Sequence, residues 1–208
     1  MSREAEEYFE EVSGRWDVLR KSFYGDEVRD AVLSAARLLP ESTVLDVGAG
    51  TGFLTEGAAK IARKVIALDF SEAMMSEARA KLPQRNIEFK IANVEQIPLP
   101  NTSVDAVIGN MVLHHCPSPN AAVREMARVL VPGGRLVLSD LQEHGYESLR
   151  KEHADLWMGF KMDFVRATLQ KAGLEDVNVD ALSSCCSETK ENEQIRIPMF
   201  LASGHKPW

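Results

Sequence analysis

The sequence of 208 residues has no long hydrophobic run, no excess of basic side chains and few cysteines. No apolar stretch approaches the roughly 18 residues that a membrane-spanning helix needs. The charged start, residues 1–7, lacks the apolar core of a signal peptide. The net charge of −7 disfavours nucleic acid as a partner, because phosphate contacts need a basic surface. These absences predict a cytoplasmic protein that binds neither membrane nor nucleic acid.

Three cysteines, Cys116, Cys185 and Cys186, are too few for a disulfide framework, and the adjacent pair would bridge only with strain. Reduced thiols of this kind are typical of a reducing compartment. The vicinal pair could hold a soft electrophile such as trivalent arsenic or mercury, with Cys116 as a third sulfur. The ordinary alternative is a pair at a strand–loop junction, and we predict no bound metal ion.

Short apolar runs alternate with longer amphipathic ones along the chain. We predict strands at residues 43–47, 64–68, 87–91, 104–109, 135–139, 174–182 and 194–203. We predict helices within the first 39 residues and over 53–63, 71–82, 119–130 and 146–172. A proline–glycine–glycine run, residues 132–134, is expected to end the helix before it, and Gly159 to break the last one. Strands that are apolar throughout indicate a mostly parallel sheet covered on both faces, with an antiparallel last strand after a helix-free link.

A glycine-rich turn follows the first predicted strand. Gly48, Gly50 and Gly52 have G-x-G-x-G spacing, and glycine lets backbone N–H groups approach a ligand closely. The dinucleotide fingerprint G-x-G-x-x-G would need a glycine at Phe53. Asp46 at the strand end would repel a phosphate. The turn therefore favours a neutral or cationic ligand over a pyrophosphate.

Asp69 ends the second predicted strand, about 20 residues after the glycine turn, where an acidic side chain can accept both hydroxyls of a ribose. The alternative is a negative charge that stabilises the N-terminus of the next helix. The glycine turn in front of it favours ribose binding.

Three segments carry a resemblance to a known family. They are Val44-Leu45-Asp46-Val47-Gly48-Ala49-Gly50-Thr51-Gly52, Ala67-Leu68-Asp69-Phe70-Ser71-Glu72-Ala73-Met74 and Ala127-Arg128-Val129-Leu130-Val131-Pro132-Gly133-Gly134-Arg135-Leu136. Together they resemble the class I S-adenosylmethionine-dependent methyltransferases, in particular the ubiquinone/menaquinone-biosynthesis-like branch. Residues 97–105 and 112–119 resemble that branch too, and residues 157–160 are similar to methyltransferases of the arsenic-regulator type.

The resemblance implies a set of contacts to S-adenosylmethionine. It places Asp46 and the turn at the amino-acid end of the cofactor, Asp69 at the ribose, and Asn110 at the methionine moiety. Asn93 stands where the family commonly has an aspartate that accepts from the adenine amino group, and its carbonyl can still accept. The full set of implied cofactor residues is Asp46, Gly48, Ala49, Gly50, Thr51, Gly52, Asp69, Phe70, Met74, Asn93, Val94, Asn110 and Met111.

Side chains for a methyl acceptor are harder to identify, because each candidate has an ordinary structural alternative. The histidines could be packing or surface residues, the carboxylate a helix cap, and the aromatic residues could pack a cap against the core. The candidates are Tyr8, Trp16, Tyr24, His115, Asp140, His144, His153 and Trp157. None is an unmistakable catalytic base.

The sequence therefore predicts an α/β protein, a Rossmann-like three-layer sandwich around a mostly parallel seven-stranded sheet. Residues 1–39 are expected to form a helical cap and residues 40–208 the methyltransferase domain. The predicted function is methyl transfer to a small-molecule acceptor by a monomer or homodimer. The alternatives are an arsenic or soft-metal methyltransferase, a non-catalytic S-adenosylmethionine-binding module and a nicotinamide-dependent oxidoreductase.

Overall fold

The computed structural model describes residues 3–190 and 193–208. Within these residues, seven strands form one sheet. They are β1 (Thr43–Val47), β2 (Lys64–Asp69), β3 (Ile87–Ile91), β4 (Val104–Asn110), β5 (Leu130–Leu141), β6 (Glu175–Lys190) and β7 (Glu193–His205). The α-helices are α1 (Arg3–Val12), α2 (Trp16–Phe23), α3 (Asp26–Ala36), α4 (Phe53–Ala59), α5 (Glu72–Lys81), α6 (Pro119–Val129), α7 (Glu147–Glu152) and α8 (Met162–Lys171). None of the described helices is long and apolar enough to cross a membrane.

The strand order is β3-β2-β1-β4-β5-β7-β6. The first five strands pair in parallel, and β7 is antiparallel to both β5 and β6. This confirms the predicted mostly parallel sheet with an antiparallel last strand. The chain moves outward from β1 to β3 and then returns to β4 on the other side of β1. Such a reversal leaves a crevice at the carboxyl ends of the two central strands, where ligands bind in open α/β sheets.

Both faces of the sheet are buried, and β1 shows why its sequence is apolar throughout. Leu45 packs in a core with Met126 of α6 and Leu169 of α8. Val44 points to the opposite face and packs with Val32 of α3 and Ala58 of α4. Fully burying one such side chain stabilises the fold by about 1.5–3 kcal/mol. Helices on both faces give the three-layer arrangement that the sequence predicts.

The helix before residues 132–134 ends as predicted, at Val129, but the predicted start of the next strand at residue 135 is wrong, because β5 begins at Leu130 and runs through the proline and both glycines. The register between β4 and β5 shifts here, between Val104 and Ala106. Gly133 has a φ of 75°, and a Cβ there would lie 2.6 Å from the Trp208 ring. The glycines therefore form an irregularity within a strand, a role that periodicity does not distinguish from a helix stop.

Other boundaries also differ from the predictions. Helix α4 ends at Ala59 instead of residue 63, and the predicted helix 146–172 is two helices, α7 and α8, separated by residues 153–161. The hairpin strands β6 and β7 are longer than predicted because antiparallel pairing continues from Glu175 to Lys190, with register shifts at residues 175–178 and 181–185. Helix α5 is capped by Ser71, whose hydroxyl accepts from the Met74 N–H at 3.2 Å.

Candidate functional site

A cavity lies at the carboxyl ends of β1, β2 and β4, under α1 and α2. It brings together most of the residues that the sequence singled out. Those of the implied cofactor set that line it are Asp46, Gly48, Ala49, Gly50, Asp69, Phe70, Met74, Asn110 and Met111. Those of the acceptor set that line it are Tyr8, Trp16, Tyr24, His115 and His153. The crevice expected from the topology is therefore the candidate site.

The glycine turn has the backbone that its sequence predicts. Gly48, Gly50 and Gly52 have φ angles of 65°, 53° and 93°, a region that side chains strain. A Cβ on Gly48 would lie 2.6 Å from Cγ2 of Val112, whereas a Cβ on Gly50 would meet nothing nearer than Trp16 Nε1 at 3.8 Å. Gly48 is thus required by packing, and Gly50 leaves room at the cavity wall.

We expect Gly48→Ala to destabilise the protein more than Gly50→Ala. Both substitutions place a Cβ at positive φ, which costs about 1–2 kcal/mol, but only the first also collides with a buried valine. Urea midpoints of the two variants measure the difference. Equal midpoints would contradict the close packing of Gly48 on Val112.

Two buried carboxylates stand at the strand ends beside the turn. Asp69 is 6% exposed and accepts from the Gly50 N–H at 2.8 Å and the Ser71 N–H at 2.9 Å. Asp46 is 1% exposed and accepts from the Thr55 hydroxyl at 2.5 Å. Asp69 thereby fixes the middle of the turn, and both carboxylates line the cavity.

Burial raises the pKa of Asp46 to about 7, and the charge of Asp69 adds to the rise. Burial also raises the pKa of Asp69, against the hydrogen bonds from Ser71 and Gly50. No lysine or arginine is among the described residues that line the cavity. The two carboxylates and the lack of basic side chains among the described residues of this part of the cavity wall therefore fit a ligand with positive charge and hydroxyl groups, such as S-adenosylmethionine. They do not fit a pyrophosphate.

The pKa of Asp46 has a consequence for stability. An unfolded aspartate has a pKa of about 3.9, so the folded state is progressively disfavoured as pH rises from about 4 through the folded value of about 7. We expect Asp46→Asn to remove this loss, on the order of a few kcal/mol. Urea midpoints at pH 5 and pH 8 should fall less in Asp46→Asn than in the wild type or in the exposed control Asp105→Asn. An equal fall in all three would contradict a buried, uncompensated carboxyl.

Asn110 ends β4 and Met111 follows it, and both residues line the cavity. Met111 has a φ of 54°, and its N–H donates to the Ser139 carbonyl at 2.9 Å. The Ser139 hydroxyl in turn donates to Oδ1 of Asn110 at 2.7 Å. Holding the backbone of a non-glycine residue at positive φ costs about 1–3 kcal/mol. Such a conformation persists where neighbouring contacts fix it, and it is often found at functional sites.

The first two helices form an aromatic wall over the cavity. Phe9 packs edge-on against Trp16, Phe70 and His115, with ring centroids 5.1–5.8 Å apart. Tyr8 is hydrogen bonded to His153 at 3.0 Å. Through these contacts the N-terminal helices lie over the cavity.

Polar contacts join this wall to the glycine turn. Oδ1 of Asp17 accepts from the Thr51 hydroxyl at 2.6 Å, and Oδ2 of Asp17 pairs with Lys81. On the other side, the buried Arg20 stacks over Phe53 with its guanidinium carbon 4.0 Å from the ring centroid and donates to the Tyr24 carbonyl at 3.3 Å. The helices over the cavity are thus tied to the turn and to α4.

A cluster of histidines and carboxylates forms the opposite end of the cavity. Nδ1 of His114 lies 2.5 Å from Oδ1 of the fully buried Asp140. Nε2 of His114 and Nδ1 of His115 lie 3.5 Å and 3.9 Å from Oδ1 of Asp155. Burial opposes a charge on His114, but the carboxylates of Asp140 and Asp155 outweigh it and raise the pKa of His114 to about 9. Burial and the charge of His114 hold the pKa of His115 well below its usual range.

Seven of the predicted site residues do not line the cavity, and several of them make contacts elsewhere in the structure. Oδ1 of Asn93 accepts from the Glu95 N–H at 2.9 Å, and Val94 packs in the core. Trp157 donates its Nε1–H to the Cys116 carbonyl at 2.8 Å. Asp140 does not line the cavity itself but bonds two residues that do, His114 and Leu141. The residues in question are Thr51, Gly52, Asn93, Val94, Asp140, His144 and Trp157.

The sequence did not single out ten of the residues that line the cavity. They are Phe9, Phe23, Phe53, Leu54, Val112, His114, Leu141, Asp155, Ile195 and Ile197. The alternation of Ile195 and Ile197 marks one face of a strand, but its place over the site depends on the length of the β6–β7 hairpin. Asp155 belongs to no motif. The side chains of Cys185 and Cys186 lie outside the described residues, and burial raises the pKa of Cys116 to about 12, which keeps its thiol protonated.

Residues 45–138 match the family described as "Methyltransferase domain". Demethylmenaquinone methyltransferase of Renibacterium salmoninarum is 31% identical over 153 residues, covering 72% of this chain and 64% of that protein. Ubiquinone biosynthesis O-methyltransferase of Xanthomonas oryzae pv. oryzae is 34% identical over 140 residues, covering 64% of this chain and 59% of that protein. Phosphoethanolamine N-methyltransferase 2 of Haemonchus contortus, solved with S-adenosyl-L-methionine, has the same fold, with a TM-score of 0.73 and 13% identity over 88% of this chain and 53% of that chain.

The chain spans less than two thirds of the length of these two sequence relatives. The matched region contains the glycine turn, Asp46, Asp69 and Asn110, which meet in the cavity. The methyltransferase domain and the chemistry of the cavity fit S-adenosylmethionine as the cofactor. Residues 45–138 therefore form a methyltransferase domain of the class I S-adenosylmethionine-dependent type.

Proposed function

We propose that this chain transfers the methyl group of S-adenosylmethionine to a small, largely apolar acceptor held under α1 and α2. One observation carries the proposal. A single cavity joins two buried carboxylates and a glycine turn at one end to an aromatic wall and a histidine–carboxylate cluster at the other. The first end suits a cationic nucleoside, and the second suits a ring with one polar group. The cytoplasmic location and the monomeric or homodimeric state stay predictions.

At the cofactor end, Asp46 and the turn would face the amino-acid moiety, and Asp69 would accept from the ribose hydroxyls. Phe70 and Met74 would pack on the adenine, with Asn110 and Met111 near the sulfur. These are the predicted contacts whose residues line the cavity. Asn93 and Val94, whose side chains lie elsewhere, are left out of the proposed set.

At the acceptor end, the wall of Tyr8, Phe9, Trp16, Phe23 and Tyr24 is hydrophobic and tied to the turn through Asp17. Such a wall would exclude water and hold a planar acceptor against the rim. Bound S-adenosylmethionine supplies an electrophilic methyl group on a positively charged sulfur. The contribution of this chain is to hold the accepting atom in line with that methyl, since positioning provides much of the rate of such a displacement.

The proposal is tested by incubating the protein with S-adenosylmethionine and a panel of thiols, phenols and quinols as acceptors. The S-adenosylhomocysteine released with each acceptor is then measured. We expect one acceptor class to give stoichiometric S-adenosylhomocysteine and methylated product by mass spectrometry. Asp69→Ala should lose this activity, whereas the surface control Glu88→Ala should keep it. Tight cofactor binding with an inert panel would contradict the proposal and favour a non-catalytic S-adenosylmethionine-binding module.

A further inference from the structure

His114, His115 and Asp155 meet at the wall of the cavity. All three side chains are buried, with at most 7% exposed. One imidazole nitrogen of each histidine and one carboxylate oxygen lie within 4.8 Å of one another. The histidines follow β4, whereas Asp155 comes from the segment between α7 and α8. The fold therefore brings the carboxylate of Asp155 next to two adjacent imidazoles that lie far from it in the sequence.

Oδ1 of Asp155 is a buried oxygen that accepts no hydrogen bond from any described residue. It lies 3.5 Å from Nε2 of His114 and 3.9 Å from Nδ1 of His115. Nδ1 of His115 also lies 3.3 Å from the Ala154 carbonyl, so this ring would have to turn from that carbonyl to bind an ion. Leaving such a group unbonded is costly, and each case in a native structure needs an explanation, of which an ion is one. A cation between the three side chains would bond this oxygen.

The second observation concerns the orientation of His114. Oδ1 of Asp140 lies 2.5 Å from Nδ1 of His114, and Oδ2 of Asp140 accepts from the Leu113 N–H at 2.8 Å. The held carboxylate makes Nδ1 the donor and turns Nε2 towards Asp155. A carboxylate behind a histidine in this way is the usual support of a metal-binding imidazole.

One pair of atoms in the cluster already has the separation of metal ligands, whereas Nδ1 of His115 and Oδ1 of Asp155, 3.9 Å apart, would have to move closer. Two ligand atoms, each about 2.0–2.2 Å from a tetrahedral zinc ion, are separated by about 3.3–3.6 Å. Nε2 of His114 and Oδ1 of Asp155 are 3.5 Å apart. Two imidazoles with one carboxylate suit a divalent transition metal, whereas Mg²⁺ and Ca²⁺ prefer oxygen ligands.

We propose that His114, His115 and Asp155 bind a divalent transition-metal ion such as Zn²⁺, which departs from the sequence-based prediction of no metal. Among the described residues no fourth histidine, cysteine, aspartate or glutamate joins the cluster, so a coordination position is open, as in catalytic metal sites. The three ligands line the cavity. The open position would select an acceptor with an ionisable hydroxyl, such as a phenol or a quinol; this last step rests on the proposed function.

Zinc titration of tag-free, chelator-treated protein tests the site, with cysteines 185 and 186 replaced by serine in every sample so that thiol binding cannot contribute. We expect one equivalent of Zn²⁺ by calorimetry, with a Kd below about 10 µM, and one equivalent of Co²⁺ with the visible absorption of a nitrogen–oxygen site. Asp155→Asn and His114→Gln should each weaken Zn²⁺ binding at least about 10-fold. His205→Gln, a histidine that pairs with Asp176 away from the cavity, should leave it unchanged.

Thermal melts in chelator establish that each variant is folded before titration. No stoichiometric binding, or binding that Asp155→Asn and His114→Gln leave intact, would overturn the metal site. Failure of the site with S-adenosylmethionine binding intact would leave the proposed function standing. Zinc binding without S-adenosylmethionine binding would refute the proposed function and support the metal site alone.

Discussion

Replacing Asp69 by alanine is expected to weaken the binding of S-adenosylmethionine about 10-fold to 150-fold. The carboxylate is buried at the cavity wall, and the loss of charge-assisted hydrogen bonds to ribose hydroxyls costs about 1.5–3 kcal/mol. The fold should be weakened as well, because the N–H groups of Gly50 and Ser71 lose their acceptor. Calorimetric titration gives the affinity, and urea unfolding gives the stability of the same variant.

Glu88→Ala is the matched control, since Glu88 is a carboxylate on the neighbouring strand that pairs with Lys64 and Lys90 at the surface. Its affinity for the cofactor should equal that of the wild type. Unchanged affinity in Asp69→Ala would show that the ribose lies elsewhere in the cavity.

Asp140→Ala is expected to lower the free energy of unfolding of chelator-treated protein by about 3–5 kcal/mol. Asp140 is fully buried and accepts from the N–H groups of Leu113 and Leu141 at 2.8 Å each. It is also the nearest partner of the His114 imidazole. Its removal leaves a buried imidazole and two backbone donors without their acceptor, which is the costly way to break a buried pair.

The chain contains a control with the same pair of residue types. Asp176 lies 3.6 Å from His205 but is 88% exposed, and exposed pairs contribute little. Asp176→Ala should leave the urea midpoint nearly unchanged. Similar losses in Asp140→Ala and Asp176→Ala would contradict the structural role of the buried pair.

The parts of the site that the sequence predicts well are those fixed by local backbone chemistry. The glycine turn after β1 needs positive φ, and only glycine supplies this without strain, so its spacing is visible in the sequence. Asp46 and Asp69 end apolar strands and therefore stand at the carboxyl edge of a parallel sheet. The mostly parallel sheet and its antiparallel last strand follow from the same local patterns and the connections between them, whereas the order of the strands was not predicted.

The acceptor end could not be predicted because distant segments meet there. His114 and Asp155 belong to different segments, and nothing in the local sequence of either points to the other. Ile195 and Ile197 reach the cavity only through a hairpin whose length depends on pairing. The proline–glycine run shows a different error: it does follow the end of a helix, but pairing with β4 starts the next strand at Leu130, before the run, which the local sequence does not indicate.

Calorimetric titration of the wild-type protein with S-adenosylmethionine tests the central claim most directly. The two buried carboxylates, the glycine turn and the family match predict a single site with a Kd far below about 1 mM. Asp69→Ala should weaken it, and NAD should give no heat because no described lysine or arginine lines the cavity. Absence of S-adenosylmethionine binding at about 1 mM, or competition by NAD at similar concentration, would contradict the account.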